Sequence, residues 1–199
     1  MKTFLGLILI FLPQFLLGQV NFSLKLSTVS VNFEKSINKP LLVNSLVDSG
    51  LVTFEPTAML SFEILSNDKS PNKNSIKINQ AMGKDAASQW AGFTQVYYRR
   101  LLVGDKRSKH KLLVGVGLSM FYRFGWKDLE NYQKETAFEE SGNFEYRIAW
   151  LSGELEYNYQ FSKFSDFSLS LNHNHTFSLT IAAGFKYWLD GVRYNCGCD

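Results

Sequence analysis

The stretch Phe177-Ser178-Leu179-Thr180-Ile181-Ala182-Ala183-Gly184-Phe185-Lys186-Tyr187-Trp188-Leu189 decides the fold class. Phe177, Leu179, Ile181, Ala183, Phe185, Tyr187 and Leu189 alternate with Ser178, Thr180, Ala182, Gly184, Lys186 and Trp188. A period of two means a β-strand, because successive side chains leave opposite faces of the pleat. One face is oily and the other is mostly polar or small. The run is also longer than the roughly 9 to 11 residues that a tilted strand needs to cross a bilayer.

The same pattern recurs upstream. Leu112, Val114, Val116, Leu118, Met120, Tyr122 and Phe124 share one face, with Leu113, Gly115, Gly117, Ser119, Phe121 and Arg123 on the other. The glycines then fall on the inner side, where a narrow barrel has least room. Val52, Phe54, Pro56, Ala58, Leu60, Phe62 and Ile64 repeat the alternation, with Thr53, Glu55, Thr57, Ser61 and Glu63 among the alternates. Pro56 cannot donate to a ladder, which predicts a bulge or local break there. From Phe144 the apolar parity runs through Tyr146, Ile148 and Trp150, then switches to Leu151, Gly153, Leu155, Tyr157, Tyr159 and Phe161. Phe22, Leu24 and Leu26 slip in the same way against Val29, Val31 and Phe33. One extra residue resets the face, so bulges are predicted near Trp150 and Ser27.

Fainter segments at 76–82, 90–102 and 167–171 bring the count to eight. In 90–102 both parities carry aromatics, and the alternation does not assign its faces. The connections 67–73, 104–110 and 162–166 are short and polar, while 34–50 and 125–143 are long; 83–89 and 172–176 are modest. Short turns at one end and longer loops at the other are the arrangement of an outer-membrane barrel, with the turns and the chain start in the periplasm. In this topology Phe62, Tyr97, Tyr159, Phe161 and Tyr187 lie toward the periplasmic ends. Trp90, Tyr122, Phe124, Phe144 and Tyr146 lie toward the outer ends. Two aromatic girdles around an aliphatic band match a bilayer's two interfaces.

Composition agrees. The chain has 199 residues, 15% of them aromatic, with 14 glycines. Its mean hydropathy of -0.12 is ordinary, as expected when each strand hides only every second residue against lipid. Lys2 followed by an apolar run over 4–17 reads as a cleavable signal peptide, too short for a membrane anchor helix and interrupted by Pro13. Cleavage after Gly18 divides the chain into a signal at 1–18, a barrel domain at 19–189 and a tail at 190–199. With Lys2 removed, the balance of 21 basic and 18 acidic groups moves one charge closer to neutral. Nucleic acid is excluded as a partner, since that surface needs a clustered basic stripe.

The signal followed by Gln19, the girdled strands and the closing Gly184-Phe185-Lys186-Tyr187-Trp188 resemble the small eight-stranded outer-membrane barrels of the OmpA/OmpX type, in particular the "outer membrane protein beta-barrel domain" proteins of Bacteroidota. The resemblance covers the mature chain as a pattern rather than a motif. It implies an all-β, antiparallel up-and-down barrel of about eight strands. Such barrels often end on the aromatic terminus of the last strand, whereas here 190–199 follow.

Oily faces turned to lipid bring Lys25, Glu55, Glu63, Lys77, Arg123, Glu154, Glu156 and Lys186 into the interior. Eight strands leave room for side chains and not for a water channel, so these charges are expected to pair as a structural plug. Glu154 and Glu156 share a face at about 6 to 7 Å, a spacing compatible with either glycosidase geometry and therefore uninformative. His173 and His175 are two potential metal ligands without a third. Their neighbourhood resembles outer-membrane lipid A deacylases, which use a His-x-Ser pair, but Ser178 stands three residues after His175 and no catalytic residue carries over. Cys196 and Cys198, the only cysteines, leave three options, a strained local bridge, a bridge to a partner or a disordered tail, with an oxidised but functionally minor state expected after export.

The main expectation is a non-enzymatic, monomeric outer-membrane protein without cofactor or metal, held by lipid. It would contact a surface or periplasmic protein partner through its loops, best through 125–143 with Glu130, Glu135, Glu139 and Glu140 beside Trp126, Tyr132 and Phe138. A soluble, lipocalin-like barrel binding a small apolar ligand is the alternative, and requires the oily faces to point inward. No Gly-x-Trp stands near the mature start, where a lipocalin would carry one. A lipid-modifying enzyme ranks third, for want of a matched triad.

Overall fold

A computed structural model describes residues 19–32, 37–47, 51–65, 74–104, 108–174 and 178–189. Nine antiparallel strands form one sheet: β1 (Val20–Asn32), β2 (Val52–Leu65), β3 (Asn74–Lys84), β4 (Trp90–Val103), β5 (His110–Phe124), β6 (Glu139–Ser141), β7 (Phe144–Gln160), β8 (Ser165–Asn174) and β9 (Ser178–Trp188). Each long strand pairs with its neighbour in sequence, β5 pairs directly with β7, and β9 returns to β1. Eight long strands therefore close an up-and-down barrel with no free edge. β6 is a short addition that pairs only with the start of β7.

Register places both chain ends of the barrel together. Val20 lies opposite Ile64, and Asn21 opposite Trp188. The strand ends that bound the three short connections lie on that side, with Leu65 opposite Ser75, Val103 opposite Leu112 and Gln160 opposite Asp166, and the strand ends that bound the long loops lie on the other. The three fainter segments are full strands, longer than the alternation alone indicated.

Register shifts occur where parity slipped. β1 and β2 shift between Ser27 and Val29, opposite the segment 54–57 that contains Pro56. β5 and β7 shift opposite Trp150 and Leu151, and both of these consecutive side chains point outward, 77% and 66% exposed. An extra residue that lets two neighbours share a face is the mark of a bulge.

The polarity is inverted relative to a soluble barrel. Leu26, Leu60, Val116, Ile181 and Phe185 are exposed on the outer wall, while Lys25, Glu63, Lys77, Arg99 and Glu156 are buried within. β4 receives its faces here: Ala91, Phe93, Gln95, Tyr97 and Arg99 point in, and Trp90, Val96 and Tyr98 point out. This corrects the assignment of Tyr97 to the periplasmic girdle. Tyr97 is fully buried and its hydroxyl donates to the Gly153 carbonyl at 3.2 Å; Tyr98 takes the outward position. The reason is steric: with Gly115 and Gly117 on the inner face of the neighbouring strand, Tyr97 and Arg99 have room inside.

Candidate functional site

Following any strand from the chain-end side toward the loops, the lumen is filled in successive layers. Leu65 and Trp188 close the bottom, where Trp188 Nε1 donates to Asp166 Oδ2 at 3.0 Å. A charged layer comes next, then an apolar one of Met59, Ala81, Phe93 and Ala182 with Phe121 against it. The loops cap the top.

In the charged layer Glu156 is the hub. Its carboxylate takes Lys25 Nζ at 2.5 Å, Lys77 Nζ at 2.5 Å, Lys186 Nζ at 2.6 Å and Arg99 Nη2 at 2.8 Å. Asn158 Nδ2 adds a fifth contact at 2.9 Å. Glu154 holds Lys77 at 2.6 Å and Arg99 Nε at 3.0 Å. Glu63 holds Arg99 Nη1 at 2.7 Å and Lys186 at 3.0 Å, and also accepts from Asn21 Nδ2 and Ser75 Oγ. Four cations thus face three carboxylates, drawn from β1, β2, β3, β4, β7 and β9. Ions so fully desolvated persist only when paired and hydrogen-bonded, and here each is.

Six of the eight expected lumen charges, Lys25, Glu63, Lys77, Glu154, Glu156 and Lys186, meet in this one cluster. Glu55 points inward but stands apart near the mouth, beside the β2 irregularity, and accepts from Thr53 Oγ1 at 2.8 Å. Arg123 belongs to the cap. Arg99, which joins all three carboxylates, was not anticipated. Its only signal was the adjacent pair Arg99-Arg100, of which alternation must send one inside.

The cap is built around Arg123. Its guanidinium lies between the rings of Trp126, 4.0 Å from the centroid, and Phe138, 3.9 Å away. Nε donates to Glu145 at 2.7 Å, Nη2 reaches Glu135 at 3.1 Å, and Tyr132 donates to Glu145 at 2.5 Å. Gly125, at φ 72°, supplies the left-handed turn that folds the loop back over the mouth. The side-chain amide of Asn38 in the first loop fastens to the Gln133 backbone, Nδ2 donating to the carbonyl and Oδ1 accepting from the N–H, both at 2.8 Å. Trp126 Nε1 donates to Asp85 Oδ2 at 2.5 Å, while Asp85 Oδ1 accepts from the Ala87 and Gln89 amides. Burial pushes the Asp85 carboxyl up, and those three hydrogen bonds partly oppose the shift.

The loop 125–143 therefore differs from the open contact surface expected of it. Trp126, Tyr132, Glu135 and Phe138 turn down onto Arg123, leaving Glu130, Lys134, Glu139 and Glu140 exposed. The physical cause is that a buried guanidinium at the mouth needs both counter-charge and ring faces. His173, at the end of β8, lies opposite Gly153 and Leu179. His175, the tail with Cys196 and Cys198, and the segment 1–18 lie outside the described residues. Among the described residues no group of three metal-ligating side chains comes together.

No family model matches the chain, and no curated protein matches it in sequence. Among solved structures, Neisserial surface protein A superposes with a TM-score of 0.51 at 10% identity, covering 86% of this chain and 96% of that one. The attachment invasion locus protein Ail of Yersinia pestis, in complex with a heparin analogue, gives 0.44 at 9%, covering 85% and 97%. The outer membrane protein OprG of Pseudomonas aeruginosa gives 0.40 at 9%, covering 86% and 96%. In fold, then, this chain is similar to the small eight-stranded barrels of bacterial outer membranes.

Proposed function

We propose that this chain is a non-enzymatic outer-membrane β-barrel protein with a sealed lumen, presenting a contact surface on its outer loops. The observation that carries the reading is the inverted polarity. A wall of exposed aliphatic and aromatic side chains surrounds a fully buried ionic cluster, and lipid is the solvent that such a wall fits. A soluble barrel for an apolar ligand needs the opposite arrangement. The stacked layers of side chains support a plug in place of a conduit. The exposed Glu130, Lys134, Glu139 and Glu140 are the polar surface offered to a protein partner, with the protein acting as a monomer.

In this reading 1–18 is removed on export, and the tail with Cys196 and Cys198 ends in the periplasm, oxidised. Fractionation of expressing cells tests the membrane assignment: the folded barrel should stay with the membrane through a carbonate wash and run faster on gels before boiling than after. Release by the wash overturns it. In planar bilayers the protein should give no steady conductance, and a stable open channel would overturn the sealed lumen. Impermeant thiol reagents on intact, reduced cells should leave both cysteines unlabelled.

A further inference from the structure

We infer that the first outer loop is itself a membrane-contacting surface: Val43, Leu46, Val47 and Leu51 seat in the acyl chains of the outward leaflet, so the apolar belt stands higher beside β1 and β2 than beside β5 and β7. The inference rests on the outer-membrane reading above and names which further part of the chain meets lipid.

Hydrogen bonding makes this loop a continuation of the wall. β3 pairs with β2 only as far as Thr57, so the 52–56 portion of β2 lacks that neighbour. The loop takes its place: Leu46 N donates to Val52 O at 2.8 Å and Phe54 N to Asn44 O at 2.9 Å, with Ser45 opposite Thr53. Asn44 N then bridges to Ala86 O at 2.9 Å, in the β3–β4 turn. Residues opposite one another on antiparallel strands share a face. Thr53 is buried in the lumen, so Leu46 stands on the outer face with Val52 and Phe54.

The surrounding chemistry agrees. The ladder assigns the outer face to Leu46, which is 57% exposed; Val43, Val47 and Leu51, in the irregular backbone beside the isolated bridge at Ser45, join this surface by their exposure, 70% at Val43. By sequence the loop 33–51 carries four charges, Glu34, Lys35, Lys39 and Asp48, with none between Pro40 and Val47, whereas the loop 125–143 carries seven, Lys127, Asp128, Glu130, Lys134, Glu135, Glu139 and Glu140. Aromatics that anchor an interface occupy the outer ends of β4, β5 and β7 as Trp90, Phe124, Phe144 and Tyr146. Among the described residues, the outer ends of β1, β2, β8 and β9 carry Phe54 alone. Around Phe54 the outward wall is extended by aliphatics, Val43 and Leu46 among them. A protein partner is a poorer fit, because 43–47 contains none of the Trp, Tyr or Arg anchors that dominate protein interfaces.

Spin labels test this in the full chain with Cys196 and Cys198 replaced by Ser, reconstituted in phosphatidylcholine vesicles. Labels at Leu46→Cys and Val47→Cys are compared with Leu26→Cys on the wall and Lys134→Cys in the third loop. Heat-modifiable mobility verifies folding, and labels at Val43 and Leu51 report independently should either of the first two prevent it. The expected result is that oxygen relaxes the labels at 46 and 47 far more than an aqueous nickel chelate does, as at 26 and in contrast to 134. Nickel accessibility at 46 and 47 equal to that at 134 would place the loop in water and overturn the inference. So would shielding from both reagents with spin–spin broadening that grows with protein density, since a second copy would then cover the loop. Nickel access at Leu26 as well would instead defeat the outer-membrane reading.

Discussion

Lys25 Nζ lies 2.5 Å from Glu156 Oε2 and ties β1 to β7 across the lumen, over 131 residues of sequence. β9 and β8 stand between those strands in the wall, so this contact braces the barrel through its interior rather than along the ladder.

Removing the hub should leave four cations facing two carboxylates. Glu156→Gln is expected to cost about 3 to 5 kcal/mol, the scale for breaking a buried ion pair from one side. It would appear as a lower urea midpoint for unfolding from lipid vesicles. Lys25→Met removes the surplus cation at similar length and should cost clearly less. Equal midpoints for the two variants would mean that charge imbalance is not what the cluster controls.

Arg123→Ala should open the cap and leave the barrel inserted. The ring contacts and ion pairs of that guanidinium hold the loop 125–143 over the mouth, and losing about 1.4 kcal/mol or more of loop stability exposes it to protease at least tenfold faster. Limited proteolysis of vesicle-bound protein reads the rate, and heat-modifiable mobility shows whether the wall survives. If both change together, the cap is integral to barrel folding.

Gly92 tests the outer face of β4. A Cβ there would stand 2.2 Å from Ala81 O and 2.9 Å from the Tyr122 ring and hydroxyl. Tyr122 packs against this glycine and bonds to Ala81 O at 3.2 Å and to Gln80, which also accepts from Thr94 at 2.7 Å. Gly92→Ala should displace the ring, uncover the Gln80 amide to lipid, and cost about 1 to 3 kcal/mol. A neutral result would show that the two strands shift apart without strain.

Acidity should tighten the mouth through Asp85. A carboxyl whose folded value is raised by burial stabilises the folded form fully below its unfolded range, and that contribution is lost as pH rises through the raised value. Protease resistance of the loop 125–143 is therefore expected to decline from about pH 4 upward. Asp85→Asn should remove that part of the decline, while Arg123 and Glu55, which face the same site, are common to both proteins. Parallel pH profiles for the two would rule Asp85 out as the titrating group.

Period-two alternation made the strands legible because a wall between two solvents forces every second residue to the other environment. Phe177 to Leu189 and Leu112 to Phe124 display it without interruption in sequence, and the parity slips at Ser27 and Trp150 coincide with the register shifts of β1 and β7. Six of the seven members of the ionic cluster followed from the same rule. What alternation alone did not decide was β4, where Tyr97-Tyr98 and Arg99-Arg100 put the same residue type on both faces; the choice fell to inner glycines on the neighbouring strand. The direction of Trp126, Tyr132 and Phe138 was equally hidden, since a loop has no period and its side chains answer to whatever buried charge lies beneath them. Local sequence thus determined which residues face the lumen in most strands, because that is a property of the pleat. Tertiary structure decided which of them meet, because only closure of β9 on β1 brings Lys25, Arg99 and Glu156 within reach of one another.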